Sequence, residues 1–284
     1  MPLVKNNINQ FKVIDNQVHL SPEYLQKCRG FFKKITGSRI ASVLGFSKYD
    51  SPFKTWMIMT NLFKDVFDPT LAKVGNAVEP IVRDYLTKIL NQKYLVYDPS
   101  KINWDVFKEN TIFGGVPDGE PINSSGAVDY TNASPMIEIK TTSIDSFVYV
   151  SKNSQLQMQK DNNGYPIIKQ PRGKYNSWFQ DGKIQLSYEY ALQLGLYLYL
   201  RNVNYGMFAV AFLQCIDYVY PEKFDVSQRE IKLIDFYIDR NKFQQYISIA
   251  TKWYQQHIII GISPVMTDKD KQWLENELAQ YDSK

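Results

Sequence analysis

Three charged residues in this chain have the types and spacing to share one phosphate. Glu138 and Lys140 lie two apart in Ile137-Glu138-Ile139-Lys140. On a strand that spacing turns both side chains to one face and Ile137 and Ile139 to the other. Asp118 sits in Pro117-Asp118-Gly119, a turn-forming string that can deliver a third charged group. Two carboxylates beside an ammonium make an acidic pocket able to hold a hard divalent metal and a phosphate together. Phosphodiester hydrolysis needs a polarised phosphoryl oxygen, water relieved of a proton, and a stabilised leaving oxygen. Asp118, Glu138 and the backbone carbonyl of Ile139 offer oxygen ligands suited to Mg²⁺ or Mn²⁺. Lys140 can orient the attacking water, act on it as base if its pKa is depressed, or steady the phosphate. Each string also has a plainer use: Pro-Asp-Gly as an ordinary turn, Glu-x-Lys as a solvated strand face.

Other chemistries find little support. Cys28 and Cys215 form no Cys-x-x-Cys pair, so an iron–sulfur cluster or a cysteine zinc site is not expected. His19 and His257 are isolated, which disfavours a histidine metal site or a Ser-His-Asp triad. A net charge of +4 over 284 residues is compatible with nucleic acid without requiring it. The 44% hydrophobic content can build a full core. No apolar run approaches a membrane span and the first ten residues are polar, so a soluble, cytoplasmic protein of a reducing compartment is expected.

The elements that must position these groups follow from periodicity. Ser38 reads as the N-cap of a short helix ending at Gly45, and Ser51-Pro52 opens a second one. Val78, Val82, Tyr85 and Ile89 give a helical stripe over 76–90, with Glu79 in its first turn. Strands are expected at 94–97, 102–107, 111–116, 136–141 and 205–214, with a hairpin loop at 123–134. A strong helix is expected over 184–201. Residues 227–239 read as a strand despite the capping-box pattern Ser227-x-x-Glu230, and helices follow at 241–259 and 267–281. Residues 153–181 are polar, with Pro166 and Pro171, and read as a long loop or flap. Its Lys152, Lys160, Lys169, Arg172 and Lys174, interleaved with Tyr165, Tyr175 and Trp178, suit DNA backbone contacts and base stacking.

The order of the strings carries more than any one of them. Gly75-Asn76-Ala77-Val78-Glu79-Pro80 is followed by Gly114-Gly115-Val116-Pro117-Asp118-Gly119, then Ile137-Glu138-Ile139-Lys140, then Gln193 with Tyr197. Upstream stand Ile35-Thr36-Gly37-Ser38-Arg39-Ile40-Ala41-Ser42-Val43-Leu44-Gly45 and Ser51-Pro52-Phe53-x-x-Trp56. This arrangement, over roughly residues 30–215, resembles the PD-(D/E)xK nucleases and within them the YqaJ-like viral recombinase group, which includes the phage lambda exonuclease.

The resemblance implies an α/β fold with a restriction-endonuclease-like core, a central mixed β-sheet flanked by helices. It implies one nuclease domain over 1–284: an N-terminal helical DNA-end segment (about 30–62), a catalytic core (about 74–215), and a C-terminal strand and helices (216–284). Asp118 and Glu138 would ligate the metal, Glu79 would complete the site directly or through water, and Lys140 would be the catalytic lysine. Gln193 would act from a helix beside the sheet, sharing a face with Tyr197. Thr36, Ser38 and Arg39 would hold a DNA phosphate at a helix start. The implied activity is Mg²⁺- or Mn²⁺-dependent deoxyribonuclease, a 5′-to-3′ exonuclease on linear duplex ends. A single-strand annealing protein would be its partner and a homotrimeric ring its assembly. The alternatives are a structure- or sequence-specific endonuclease of the same fold and a non-catalytic nucleic-acid-binding module.

Overall fold

A computed structural model describes residues 9–64, 69–152 and 155–282. The chain opens with a hairpin, β1 (Phe11–Ile14) and β2 (Gln17–Leu20), followed by α1 (Pro22–Cys28). Strand β3 (Ile35–Thr36) runs directly into α2 (Gly37–Val43), and α3 (Pro52–Met59) and the long α4 (Pro69–Ile89) follow. Two-residue strands β4 (Tyr94–Leu95), β5 (Phe113–Gly114) and β6 (Glu120–Pro121) lead to β7 (Met136–Ser143). Next come β8 (Ser146–Phe147), β9 (Tyr149–Lys152), β10 (Gln155–Met158), β11 (Ile168–Gln170), the one-turn α5 (Gly173–Asn176), β12 (Phe179–Gln180) and β13 (Lys183–Ile184). The buried helix α6 (Tyr188–Leu200) precedes β14 (Tyr205–Leu213) and β15 (Glu230–Tyr237). Helix α7 (Arg240–Trp253) continues through a π-helical stretch, Tyr254–Ile259, and α8 (Asp268–Asp282) closes the chain. Among the described residues, no helix is long and apolar enough to cross a membrane.

The centre is a mixed sheet in the order β15-β14-β7, with β14 antiparallel to β15 and parallel to β7. Strict alternation along β7 separates two layers. Ile137 and Ile139 join Ala209 and Ala211 under the α4 stripe of Val74, Val78, Val82 and Leu86. Glu138 and Lys140 stand in register with Phe208 and Val210, which face the other core with Leu192, Leu194, Leu196 and Leu198 of α6. Full burial of Val78, Val82 and Leu86 contributes about 1.5–3 kcal/mol per side chain. That is enough to seat α4 firmly on the strand carrying the charged pair.

The expected central sheet, the helix at α6, the strands at β14 and β15 and the last two helices are all present. Several local expectations are overturned. The helix carrying Glu79 begins at Pro69, so Glu79 lies in mid-helix and not in a first turn. The N-cap of α2 is Thr36, without a side-chain capping bond, and not Ser38. By contrast Ser51 caps α3 as expected, accepting a hydrogen bond from the Lys54 N–H at 3.1 Å. No strand forms at 102–107. Asn103 and Trp104 take left-handed φ values of 54° and 59°, and the Asp105 carboxylate ties the loop to the Phe107 and Gly115 N–H groups. The strands expected at 94–97 and 111–116 shrink to β4 and β5.

The expected long loop is largely structured. Residues 153 and 154 lie outside the described residues, but β9 pairs with β10, β8 with β11 and β12 with β13. Two of the aromatics expected to meet DNA turn inward instead. Trp178 is buried against Phe212 and Tyr190, and Tyr175 packs on Phe212 and Phe179 while its hydroxyl donates to Glu230 at 2.6 Å. Lys160, Lys169, Arg172 and Lys174 are exposed; the Lys152 side chain is not among those described.

Candidate active site

The outer edge of β7 organises the site. Beyond a bridge between Gly119 and Ile137, the Pro-Asp-Gly turn brings Asp118 alongside the strand. There the Asp118 Oδ2 accepts the Ile139 N–H at 2.7 Å, taking the place of a neighbouring strand's carbonyl. Asp118 thus lies against the peptide that links Glu138 to Ile139. In an extended strand one residue's N–H and C=O point to the same side, so the Ile139 carbonyl faces the Asp118 edge as well.

Glu138 is fully buried. Its Oε1 accepts from the Lys140 Nζ at 2.7 Å and from the Gln193 Nε2 at 2.5 Å. The Lys140 Nζ also donates to the Gln193 Oε1 at 3.0 Å, so Glu138, Lys140 and Gln193 close a small ring of hydrogen bonds. The Tyr190 ring lies beneath the ammonium, 4.9 Å from centroid to Nζ. The second carboxylate oxygen, Oε2, is buried with no hydrogen-bond donor. A buried carboxyl oxygen without a partner is costly, and such orphans call for an explanation.

Glu79 reaches the site from α4. Arg83, one turn later, pairs its guanidinium with the Glu79 carboxylate and donates Nε to the Asp118 backbone carbonyl at 3.1 Å. Sequence reasoning missed Arg83, although the spacing Glu79-x-x-x-Arg83 is an ordinary helical ion-pair signal. Among the described residues, no three His, Cys, Asp or Glu side chains already stand close enough together to hold an ion. The acids are instead held singly: Glu79 by Arg83, Asp118 by the Ile139 N–H, and Glu138 by Lys140 and Gln193.

Electrostatically the cluster is short of positive charge. Burial first, then the Asp118 charge, push the Glu138 carboxyl up to about 8 against the pull of Lys140. Burial also raises Asp118, with Lys140, the Ile139 N–H and Arg83 pulling the other way. Burial and the Asp118 charge raise Glu79 despite Arg83. Burial alone would lower Lys140, but Glu138 and Asp118 outweigh it and hold the ammonium above the ordinary lysine range. Three carboxyl groups made too basic by their surroundings, one with an orphaned oxygen, fit a set of hard-cation ligands.

The polar trio at the start of α2 flanks this centre. Thr36 Oγ1 and Ser38 Oγ lie 3.0 Å apart, and the Arg39 Nη1 donates to Thr36 Oγ1 at 3.3 Å. Between them Gly37 packs on α6 so closely that a Cβ there would stand 2.7 Å from the Gln193 Cγ and the Tyr197 hydroxyl. Gly115, at φ +131°, approaches the Tyr197 ring as closely. Tyr197 is thereby wedged and buried, stacked on Phe107 at 6.0 Å.

A second buried ion pair braces the same elements. Glu120, two residues past Asp118, accepts Nε and Nη2 of Arg201 at 2.7 Å each, and the hydroxyls of Tyr97 and Tyr130 at 2.5 and 2.8 Å. Arg201 is the C-cap of α6, the helix of Gln193.

An α/β core with a carboxylate–lysine cluster at the outer edge of a mixed sheet, between an acid-bearing helix and a glutamine-bearing helix, belongs to the restriction-endonuclease-like class. Residues 24–200 match the model of the YqaJ-like viral recombinase domain. The chain belongs to that family, and the membership supports a nuclease role. It is 48% identical over 275 residues to uncharacterized protein MG373 of Mycoplasma genitalium, covering 96% of this chain and 98% of that protein. A homologue of MG373 in Mycoplasma pneumoniae is 47% identical over 271 residues, covering 95% and 96%. Among solved structures, an alkaline exonuclease from Laribacter hongkongensis aligns with a TM-score of 0.48 at 12% identity, over 92% of this chain and 99% of that one. A phage related exonuclease from Haemophilus somnus aligns with a TM-score of 0.46 at 13% identity, over 81% and 97%.

Proposed function

We propose that this chain is a divalent-metal-dependent deoxyribonuclease that resects linear duplex DNA from its ends, hydrolysing the 5′-ended strand. The observation that carries the proposal is the buried Glu138, with Oε2 lacking any donor, set beside Asp118 and a charged Lys140. Asp118, Glu138 and the Ile139 carbonyl would hold Mg²⁺ or Mn²⁺, with Glu79 completing the set directly or through water. Such an ion supplies Lewis-acid polarisation of the phosphoryl group and a lowered pKa for its bound water.

The protein's own contribution is positioning. Lys140, paired with the buried Glu138 carboxylate, is suited to orienting the attacking water and steadying the phosphate. Gln193 fixes Glu138 and Lys140 relative to one another. Thr36, Ser38 and Arg39, packed beside Gln193 through Gly37, are the proposed seat for a DNA phosphate next to the scissile one. Family membership favours action at duplex ends, with a single-strand annealing protein as partner and a trimeric ring as assembly.

The test is a 5′-labelled linear duplex and a covalently closed circle, each incubated with Mg²⁺ and with chelator. Release of label from the linear duplex alone, only with metal, is expected. Equal attack on closed circles would identify an endonuclease. Salt-sensitive binding without cleavage in Mg²⁺ or Mn²⁺ would leave a binding module.

A further inference from the structure

We propose that the exposed aromatics beside this site, the paired rings of Phe46 and Tyr188 with Tyr49 on the adjoining loop, are a stacking platform for the bases of single-stranded DNA. Phe46 follows α2, Tyr49 precedes α3, and Tyr188 is the first residue of α6. They are 41%, 79% and 66% exposed. Exposed aromatics usually stand singly. Here the Phe46 and Tyr188 rings lie nearly parallel, 5.5 Å apart at 16°, and Tyr246 of α7 braces Phe46 edge-on at 6.0 Å.

The loop presenting Tyr49 is already ordered. The Ser47 Oγ accepts the N–H groups of Tyr49 and Asp50 at 3.2 and 3.3 Å, and the Lys48 N–H donates to Glu189 Oε1 on α6 at 3.1 Å. A pre-ordered surface loses little freedom on binding. The face also continues into the catalytic cluster. Tyr190, two residues along α6 from Tyr188, lays its ring beneath the Lys140 ammonium, 4.9 Å from centroid to Nζ.

Charge selects the occupant. Three lysines, the exposed Lys48 and Lys269 with Lys54, and two acids, Asp50 and Asp270, border the shallow cavity next to Tyr49, leaving it net positive. Asp270 in the same cavity is engaged by Ser51 and Thr267. Flat π-faces beside ammonium groups match a strand of bases on a phosphate chain, and stacking of this kind is indifferent to sequence. In a resecting enzyme, which this inference presupposes, such a platform would hold the strand exposed as the duplex shortens.

The test uses the full chain and a labelled oligothymidylate in chelator, read by fluorescence anisotropy at several salt concentrations. The double variant Tyr49→Ala/Tyr188→Ala should weaken binding about tenfold or more without changing the salt slope. Tyr49→Phe/Tyr188→Phe, which keeps both rings, should bind within about twofold of wild type. Wild-type chain that fails to bind the oligonucleotide, or Ala variants that bind as wild type does, would overturn the platform. Unchanged binding together with a lower mass by light scattering would assign the face to a second copy of the chain. The two proposals fail separately. Ala-sensitive binding without DNA cleavage in Mg²⁺ keeps the platform and removes the nuclease; cleavage with Ala-insensitive binding does the reverse.

Discussion

Replacing Arg201 with methionine should strand a fully buried carboxylate. Glu120 is 0% exposed and takes two of its four hydrogen bonds from the Arg201 guanidinium. Tyr97 and Tyr130 would remain, but neither carries positive charge. Breaking a buried pair from one side costs about 3–5 kcal/mol. The Arg201 side chain is 28% exposed, so solvent screens part of the interaction and the lower end, about 3 kcal/mol, is expected. Set against a total stability of roughly 5–15 kcal/mol, that is a large loss. At about 2–4 °C per kcal/mol for a chain of this size, Tm should fall by about 6–12 °C. Glu120→Gln should cost about half as much, because the freed guanidinium can turn toward water whereas the freed carboxylate cannot. Thermal unfolding followed by circular dichroism in chelator measures both. A Tm for Arg201→Met within about 2 °C of wild type, or a larger loss for Glu120→Gln, would refute the reasoning.

Asp118→Ala, Glu138→Ala and Lys140→Ala should each reduce cleavage of linear duplex by about a thousandfold or more while DNA binding and fold persist, and wild-type rates in any one would remove it from the chemistry. Gln193→Ala should cost about 10–100-fold in rate through loss of its bonds to Glu138 and Lys140, read in single-turnover cleavage. In chelator, wild-type stability should fall as pH rises from about 4.5 to about 8, because native Glu138, facing Asp118, Glu79, Lys140 and the Tyr190 and Tyr197 phenols, keeps a proton that the unfolded chain has released. Thermal melts of wild type and Glu138→Gln should therefore diverge across that window by up to about 1.4 kcal/mol per pH unit, and parallel curves would contradict the burial of that charge. Gly37→Ala, whose new methyl would press on Gln193 and Tyr197, should destabilise by about 1–3 kcal/mol, measured by urea unfolding.

What the sequence disclosed was what local periodicity encodes. The two-residue alternation of Ile137, Glu138, Ile139 and Lys140 placed the charged pair on one face because a strand permits nothing else. Ser51-Pro52 marked a helix start because cap and first-turn chemistry are local. The stripe from Val78 onward marks helix α4 only from residue 76, yet Val74 extends the buried row of Val78, Val82 and Leu86 and carries the helix back across Gly75 to Pro69. Strands β4, β5 and β6 have two residues each, too few to display a period. Tyr175 and Trp178 looked like DNA contacts because a polar segment surrounds them, but Phe212 on a distant strand draws them inward. The Glu120–Arg201 pair is 81 residues apart and leaves no local signal. Arg83 was legible by spacing, although only the fold reveals that it spans Glu79 and the Asp118 carbonyl.

The most direct measurement is Mn²⁺ titration of the full chain followed by electron paramagnetic resonance, with Asp118→Ala and Glu138→Ala in parallel. Wild-type protein should bind Mn²⁺ at an Mg²⁺-displaceable site, and each variant should lose it while keeping its fold. Absence of binding at millimolar Mn²⁺, or binding indifferent to both substitutions, would contradict the joining of residues 118 and 138 by one ion.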